Sequence, residues 1–258
     1  MKILVTDGHL KAALSAVRSL GRHGFAVHTT QSRPGATMSS LSAFCRQVHV
    51  LSPYADEQRF DTEFLQLLRR ERFDYVLPAS DGAFRRLSRR RESIQPLTRV
   101  DLAPSWAAEL VLSKRGLLEF AESLEIPIPA SVYVSQTESL DRVLDTLRFP
   151  MVVKVGGALG AYDRVRYVNT VDELRRCVHD FRAADTIICQ EYIHGTGFGF
   201  FAFMSDGEPV ATQMHERLWE YPITGGPSVL ARTVDDPAAP RRAAVERPGH
   251  GGVQTVER

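Results

Sequence analysis

Phe149-Pro150-Met151-Val152-Val153-Lys154-Val155-Gly156-Gly157-Ala158-Leu159-Gly160 is a short apolar run that delivers one lysine and then passes into glycine. A valine-rich run of this length, preceded by proline, reads as a buried strand. A lysine inside such a strand carries a large desolvation cost unless an anion meets it. The glycines behind it supply backbone N–H groups without side-chain bulk, as close approach to phosphate oxygens requires. Strand, lysine and glycine loop together point to a nucleotide triphosphate site.

Working outward, Ser113-Lys114 opens a helix carrying Leu117, Leu118, Ala121 and Leu124 on one face, ended by Pro127 and Pro129, with Ser113 as its natural N-cap. A lysine in a first helical turn opposes the macrodipole unless an anion binds there; on this helix alone Lys114 reads as a solvated surface lysine. Val132–Val134, a helix near Thr137–Leu147, the Lys154 strand, Arg166–Val168 and a helix from Val171 to Phe181 make a small α+β unit. Thr186–Ile193 is a further strand, closed by Gly195, Gly197 and Gly199. Asp206-Gly207 between two apolar runs signals a hairpin. From Ala231 onward Leu, Ile and Phe are absent, and the tail is expected to be disordered.

Upstream, residues 2–6 form a strand, Ala12, Ala13, Ala16, Val17 and Leu20 recur at helical spacing, and Phe25–Thr29 is a second strand. Val48–Leu51, a helix through Phe60, Phe64, Leu67 and Leu68, and the strand Tyr75–Pro78 continue the order. This is an open parallel sheet with helices on both faces. The turn Asp7-Gly8-His9 lacks the G-x-G-x-x-G of a dinucleotide site, so a dehydrogenase reading is weak. Asp81 reads as the N-cap of the helix through Phe84 and Leu87, with substrate contact at the sheet edge as the alternative.

The 258 residues suffice for two modest domains, and 43% hydrophobic with 24% charged is ordinary for a globular chain. A formal charge of +1 gives no global pull toward nucleic acid or membrane. The local run of Arg85, Arg86, Arg89, Arg90 and Arg91 reads as a solvated helix face. Three widely spaced cysteines indicate neither a disulfide framework nor a zinc site, and no segment has the length of a signal peptide or membrane span. The expectation is a cytoplasmic protein; whether it forms a homo-oligomer stays open.

In order and spacing, Lys114, the Lys154 strand and Gln190-Glu191-Tyr192-Ile193 resemble the ATP-grasp superfamily, in the branch of carbamoyl-phosphate-synthase-like carboxylate–amine ligases. The likeness runs to about Val234 and includes Glu216–Pro222 and Thr224-Gly225-Gly226-Pro227-Ser228. It implies an α/β fold: a Rossmann-like parallel-sheet domain over 1–104, an incomplete α+β ATP-grasp domain over 105–234, and a disordered tail over 235–258. It further implies ATP and Mg²⁺ as cofactors and a small carboxylate and amine as substrates, joined through an acyl phosphate. Lys114 and Lys154 would hold the ATP phosphates under a loop with Gly157 and Gly160. The strand Gln190, Glu191, Tyr192 and Ile193 would meet the adenine, the backbone of Glu191 and Ile193 reading its edge. Thr224, Gly225, Gly226 and Ser228, with Arg217 and Arg232 nearby, would hold the acyl phosphate and the substrate carboxylate; arginine suits planar anions by its bidentate fork.

Two departures qualify the resemblance. Thr196 stands where relatives carry an acid for the ribose hydroxyls. The family's magnesium ligands, carboxylates followed by Glu-x-Asn downstream of Ser228, have no counterpart, since the single asparagine is Asn169. No metal ligand is therefore assigned, and the chain reads as an ATP-grasp protein cut short inside its large subdomain, a frame change near residues 237–240 being one hypothesis. The alternative function is an inactive remnant that binds only nucleotide or a partner.

Overall fold

The computed structural model describes residues 1–135, 140–156, 165–181, 186–205, 207–221 and 228–235. They fall into two compact units, Met1–Ser113 and Lys114–Arg258. Among the described residues no helix is long and apolar enough to cross a membrane.

The N-terminal unit runs β1 (Lys2–Val5), α1 (Lys11–Arg22), β2 (Ala26–Gln31), β3 (Cys45–Val50), α2 (Glu57–Glu71), β4 (Tyr75–Leu77), α3 (Asp81–Arg89), α4 (Arg91–Ile94) and α5 (Ser105–Leu112). Its four strands pair in parallel in the order β3-β2-β1-β4. Successive residues of a strand point to opposite faces. Ile3 and Val5 accordingly pack with Ala13 and Val17 of α1, and Leu4 packs with Phe60, Phe64, Leu67 and Leu68 of α2 and Leu87 of α3.

Two sequence expectations change here. Ser80, not Asp81, caps α3: its hydroxyl accepts the Ala83 N–H at 2.9 Å, and Asp81 is the first helical residue. The arginine run is not a solvated face throughout. Arg86 is 5% exposed, because α2 places Glu57 and Asp61 one helical turn apart against α3. Its guanidinium grips Asp61 bidentately at 2.7 and 2.5 Å and donates to the Glu57 carbonyl at 2.9 Å. Arg90 also donates to Asp61, and Arg85 and Arg89 share Glu109 of α5.

Beneath the end of α2, His28 of β2 and His49 of β3 are buried and hydrogen-bonded to each other, Nδ1 to Nε2, at 3.0 Å. Phe73 meets both rings edge-on. Lys2, Arg70 and Glu71 are the charges around them. Burial pulls both imidazoles below the ordinary histidine value of 6.5, His49 to about 4 with the His28 charge adding to the shift. The unfolded chain therefore takes up the proton first, and stability held above pH 6.5 should fall as the pH drops toward 4. The His49 part is on the order of 3 kcal/mol. Urea unfolding between pH 7 and 4.5 should show this slope, and His49→Gln should flatten it. An unchanged slope in the variant would remove His49 as the cause.

The C-terminal unit runs α6 (Lys114–Ser123), β5 (Ser131–Val134), α7 (Asp141–Thr146), β6 (Met151–Val155), β7 (Val165–Val168), α8 (Val171–Asp180) and β8 (Ile187–Glu191). The strands form an antiparallel sheet, β5-β8-β6-β7. Met151, Val153 and Val155 pack under Val143 and Leu147, and under Leu174 and Cys177 of α8. The opposite face carries Val152 and Lys154. The apolar stripe expected on α6 is only partly covered: Leu118 and Ala121 are half-buried, and Leu117 is exposed.

β9 (Phe198–Ser205), β10 (Glu208–Glu220) and β11 (Ser228–Val234) make a separate antiparallel sheet, β11-β10-β9. Ser205 pairs with Glu208, and Gly207 between them takes φ 87°; Asp206, the other residue of the expected turn, lies outside the described residues. Ala231–Val234, expected to begin the disordered tail, are instead strand, because β10 offers them a full edge of backbone partners. Residues 236–258, most of the expected tail, lie outside the described residues. Large apolar side chains of this sheet stand in water, Phe201 at 58% and Trp219 at 68% exposed, with Phe198, Phe203 and Val210 beside them.

Candidate functional site

Lys154 occupies the one half-exposed position of an otherwise buried β6. By strand alternation it shares its face with Val152, and register places Gln190 opposite Val152 and Ser131 opposite Gln190. A chain of polar contacts therefore crosses three strands: the Lys154 ammonium donates to Gln190 Oε1 at 2.7 Å, and Gln190 Nε2 donates to Ser131 Oγ at 2.8 Å. Gln190 is itself buried. The amide carbonyl orients the ammonium without neutralising it.

Lys114 reaches the same end of the sheet through its backbone. Its N–H, the first of α6, donates to the Gly156 carbonyl at 3.1 Å, two residues beyond Lys154. Gly156 in turn donates to Thr186 O at 2.8 Å, and a Cβ there would lie 3.2 Å from the Thr186 side chain, so a small residue suits this junction. Burial lowers the pKa of both lysines, and the Lys114 charge lowers that of Lys154 further. Among the described residues neither has a carboxylate at ion-pair distance. Two desolvated like charges held together without an anion are an unstable arrangement that an anionic ligand would relieve.

The remaining expected residues spread outward. The Glu191 N–H donates to Ala130 O at 2.9 Å and its carboxylate accepts the Ala130 N–H at 2.9 Å, which pins the end of β8. Tyr192 packs edge-on against Tyr167 and His194, and Ile193 is exposed. Arg217 and Arg232 do not converge. Arg232 lies directly across from Glu216 and pairs with it, so Arg217, one residue on, belongs to the other face of the sheet. A register shift at Leu218 brings Glu220 to Arg217 instead, at 3.3 Å, and the same two charges act on Tyr167. Ser228 begins β11, its hydroxyl donating to Leu230 O at 3.1 Å. Gly157, Gly160, Thr224, Gly225 and Gly226 lie outside the described residues.

Sequence reasoning gave Gln190 either to the strand or to the exocyclic amine of adenine; the structure gives it to Lys154. The missing information was the register of β8 to β6, which sets Ile188, on the same face as Gln190, opposite Lys154. For a divalent ion the described residues offer little. Magnesium takes hard oxygen ligands, carboxylates above all, and Glu191, Glu216 and Glu220 each already have a partner. Among the described residues, the one trio of side chains close enough to share a metal is His28, His49 and Glu71, whose ligand atoms lie within 4.8 Å of one another. There the imidazoles bond to each other and Glu71 to Lys2 and Arg70.

No protein-family model and no curated protein sequence matches this chain. Solved structures do. An L-amino acid ligase from Bacillus licheniformis superposes with a TM-score of 0.64 at 16% identity, over 84% of this chain and 52% of its own. An N5-carboxyaminoimidazole synthetase from Staphylococcus aureus, complexed with ADP, gives 0.59 at 14% identity over 83% and 54%. A D-alanine–D-alanine ligase from Bacillus anthracis gives 0.58 at 15% identity over 92% and 73%. The chain thus spans about half the length of the first two.

Proposed function

We propose that this chain, whose fold is that of the ATP-grasp ligases, binds ATP through Lys114 and Lys154 and belongs to the ATP-dependent carboxylate–amine ligases. The supporting observation is the lysine pair: two half-buried ammonium groups at one end of one sheet, one oriented by Gln190, and no carboxylate beside them among the described residues. Such a pair suits the polyphosphate of a nucleotide. Phosphoryl transfer to a carboxylate oxygen depends chiefly on positioning and charge stabilisation, which fixed lysines supply. The Glu191 carbonyl and the exposed end of β8 would meet the base. Both arginines are paired, Arg217 with Glu220 and Arg232 with Glu216; of the two, Arg217, whose charge acts on Tyr167, would be the one for an acyl phosphate.

A second reading is favoured by the carboxylates. With Glu191, Glu216 and Glu220 all engaged, the described residues do not fit a magnesium site, and no step is assigned to the ion. The chain would then bind nucleotide without turning it over. Titration of the purified chain with ATP, with and without Mg²⁺, followed by orthophosphate release in the presence of amino-acid mixtures, separates the two. Binding with phosphate release is expected of the ligase. Binding without release would leave the second reading, and no binding would sink both.

A further inference from the structure

A separate polar cluster lies in the N-terminal unit, just past the end of β1. Asp7 adopts φ 56°, a left-handed conformation uncommon for a residue with a side chain. The residue is only 7% exposed. Three hydroxyls donate to it: Thr6 at 2.9 Å, Tyr54 at 3.0 and 2.9 Å to the two oxygens, and Ser80 at 2.6 Å. Thr6 follows β1, Tyr54 follows β3 and Ser80 follows β4. In the strand order β3-β2-β1-β4 the connections diverge at β1, and ligands of open α/β sheets bind outside the C-terminal strand ends at such a divergence.

A cavity of about 310 Å³ opens at this point, and Asp7 is its only lining residue among Asp, Glu, Lys and Arg. Hydroxyl donors spread the charge of a carboxylate but do not cancel it. Burial and the Asp7 charge raise the Tyr54 pKa, keeping the phenol a protonated donor. Leu51 and Phe60 give the cavity an apolar wall, the mixture expected of a small-molecule site.

We infer that this cavity binds a small molecule bearing a protonated primary amine, its ammonium on Asp7 and a short apolar portion against Leu51 and Phe60. The assignment of this molecule as the amine substrate rests on the ligase reading above; its binding does not. The test is amide NMR of the full chain, without ATP, titrated with propylamine, propanol, propionate and inorganic phosphate. Propylamine should shift the Thr6, Tyr54 and Ser80 resonances saturably, and the other three probes should not. Asp7→Asn, which keeps an acceptor and tolerates left-handed φ, should weaken propylamine at least about tenfold, as a charge-assisted contact worth 1.4 kcal/mol or more requires. Tyr54→Phe, which keeps the ring on Phe60 and the Asp7 charge, should weaken it less. Equal shifts with propanol would mean apolar filling only, and shifts with propionate or phosphate an anion site; either overturns the inference. So would an unchanged Asp7→Asn or no saturable shift with 50 mM propylamine. ATP titration of the same sample keeps the readings apart: amine shifts without ATP binding would remove the ligase assignment alone, and ATP binding without amine shifts would remove this inference alone.

Discussion

Lys154→Met is expected to weaken ATP binding by roughly 30- to 700-fold, the effect of about 2–4 kcal/mol for deleting one partner of a desolvated charge pair. The unliganded chain should barely notice. Methionine fills the same slot in β6 and abolishes the mutual repulsion with Lys114, which offsets the lost hydrogen bond to Gln190. Stability measured by urea unfolding should therefore move by no more than about 1 kcal/mol while binding measured by calorimetry collapses. A large loss of stability with affinity intact would make Lys154 a structural lysine and withdraw it from the nucleotide.

The second large effect concerns folding. Asp61→Ala leaves the Arg86 guanidinium buried beside Glu57, whose own side chain is more than half exposed and cannot replace a bidentate partner. The expected cost is about 3 kcal/mol, the lower part of the range for breaking a buried pair from one side. The double variant Asp61→Leu with Arg86→Met should recover most of it, since it removes both charges and keeps apolar volume. Urea midpoints for Asp61→Leu, Arg86→Met and the double close the cycle. If Asp61→Ala alone were neutral, the network would be solvated as the bare sequence suggested.

That arginine run shows where the sequence is silent. Arg85, Arg86, Arg89, Arg90 and Arg91 look alike along the chain, and nothing local marks Arg86 as the one that α2 covers with Asp61. Ser80 and Asp81 are both good N-caps; backbone geometry chose Ser80, with its extended φ and ψ. At the nucleotide end, Lys154 could be singled out from strand position, because a lysine in an apolar strand demands an explanation wherever it occurs; Lys114, a solvated lysine on its helix alone, entered only through the resemblance. Their proximity was not legible. It depends on the Lys114 N–H meeting the Gly156 carbonyl, a contact between residues far apart in sequence. The relative placement of Arg217 and Arg232 was likewise illegible: the register Glu216 to Arg232 sends the two arginines to opposite faces.

The sequence by itself determined most of the elements in their order, the parallel sheet of the first domain, the hairpin that brings β9 to β10 and the lysine strand. These follow from periodicity and turn chemistry, which act over a few residues. Tertiary structure alone decided which charges are buried, that Gln190 orients Lys154, that Ala231–Val234 join a sheet, and that Asp7 faces a cavity at the divergence of the strands. Each of these is a matter of register and burial between distant segments, and the local pattern of side chains carries neither.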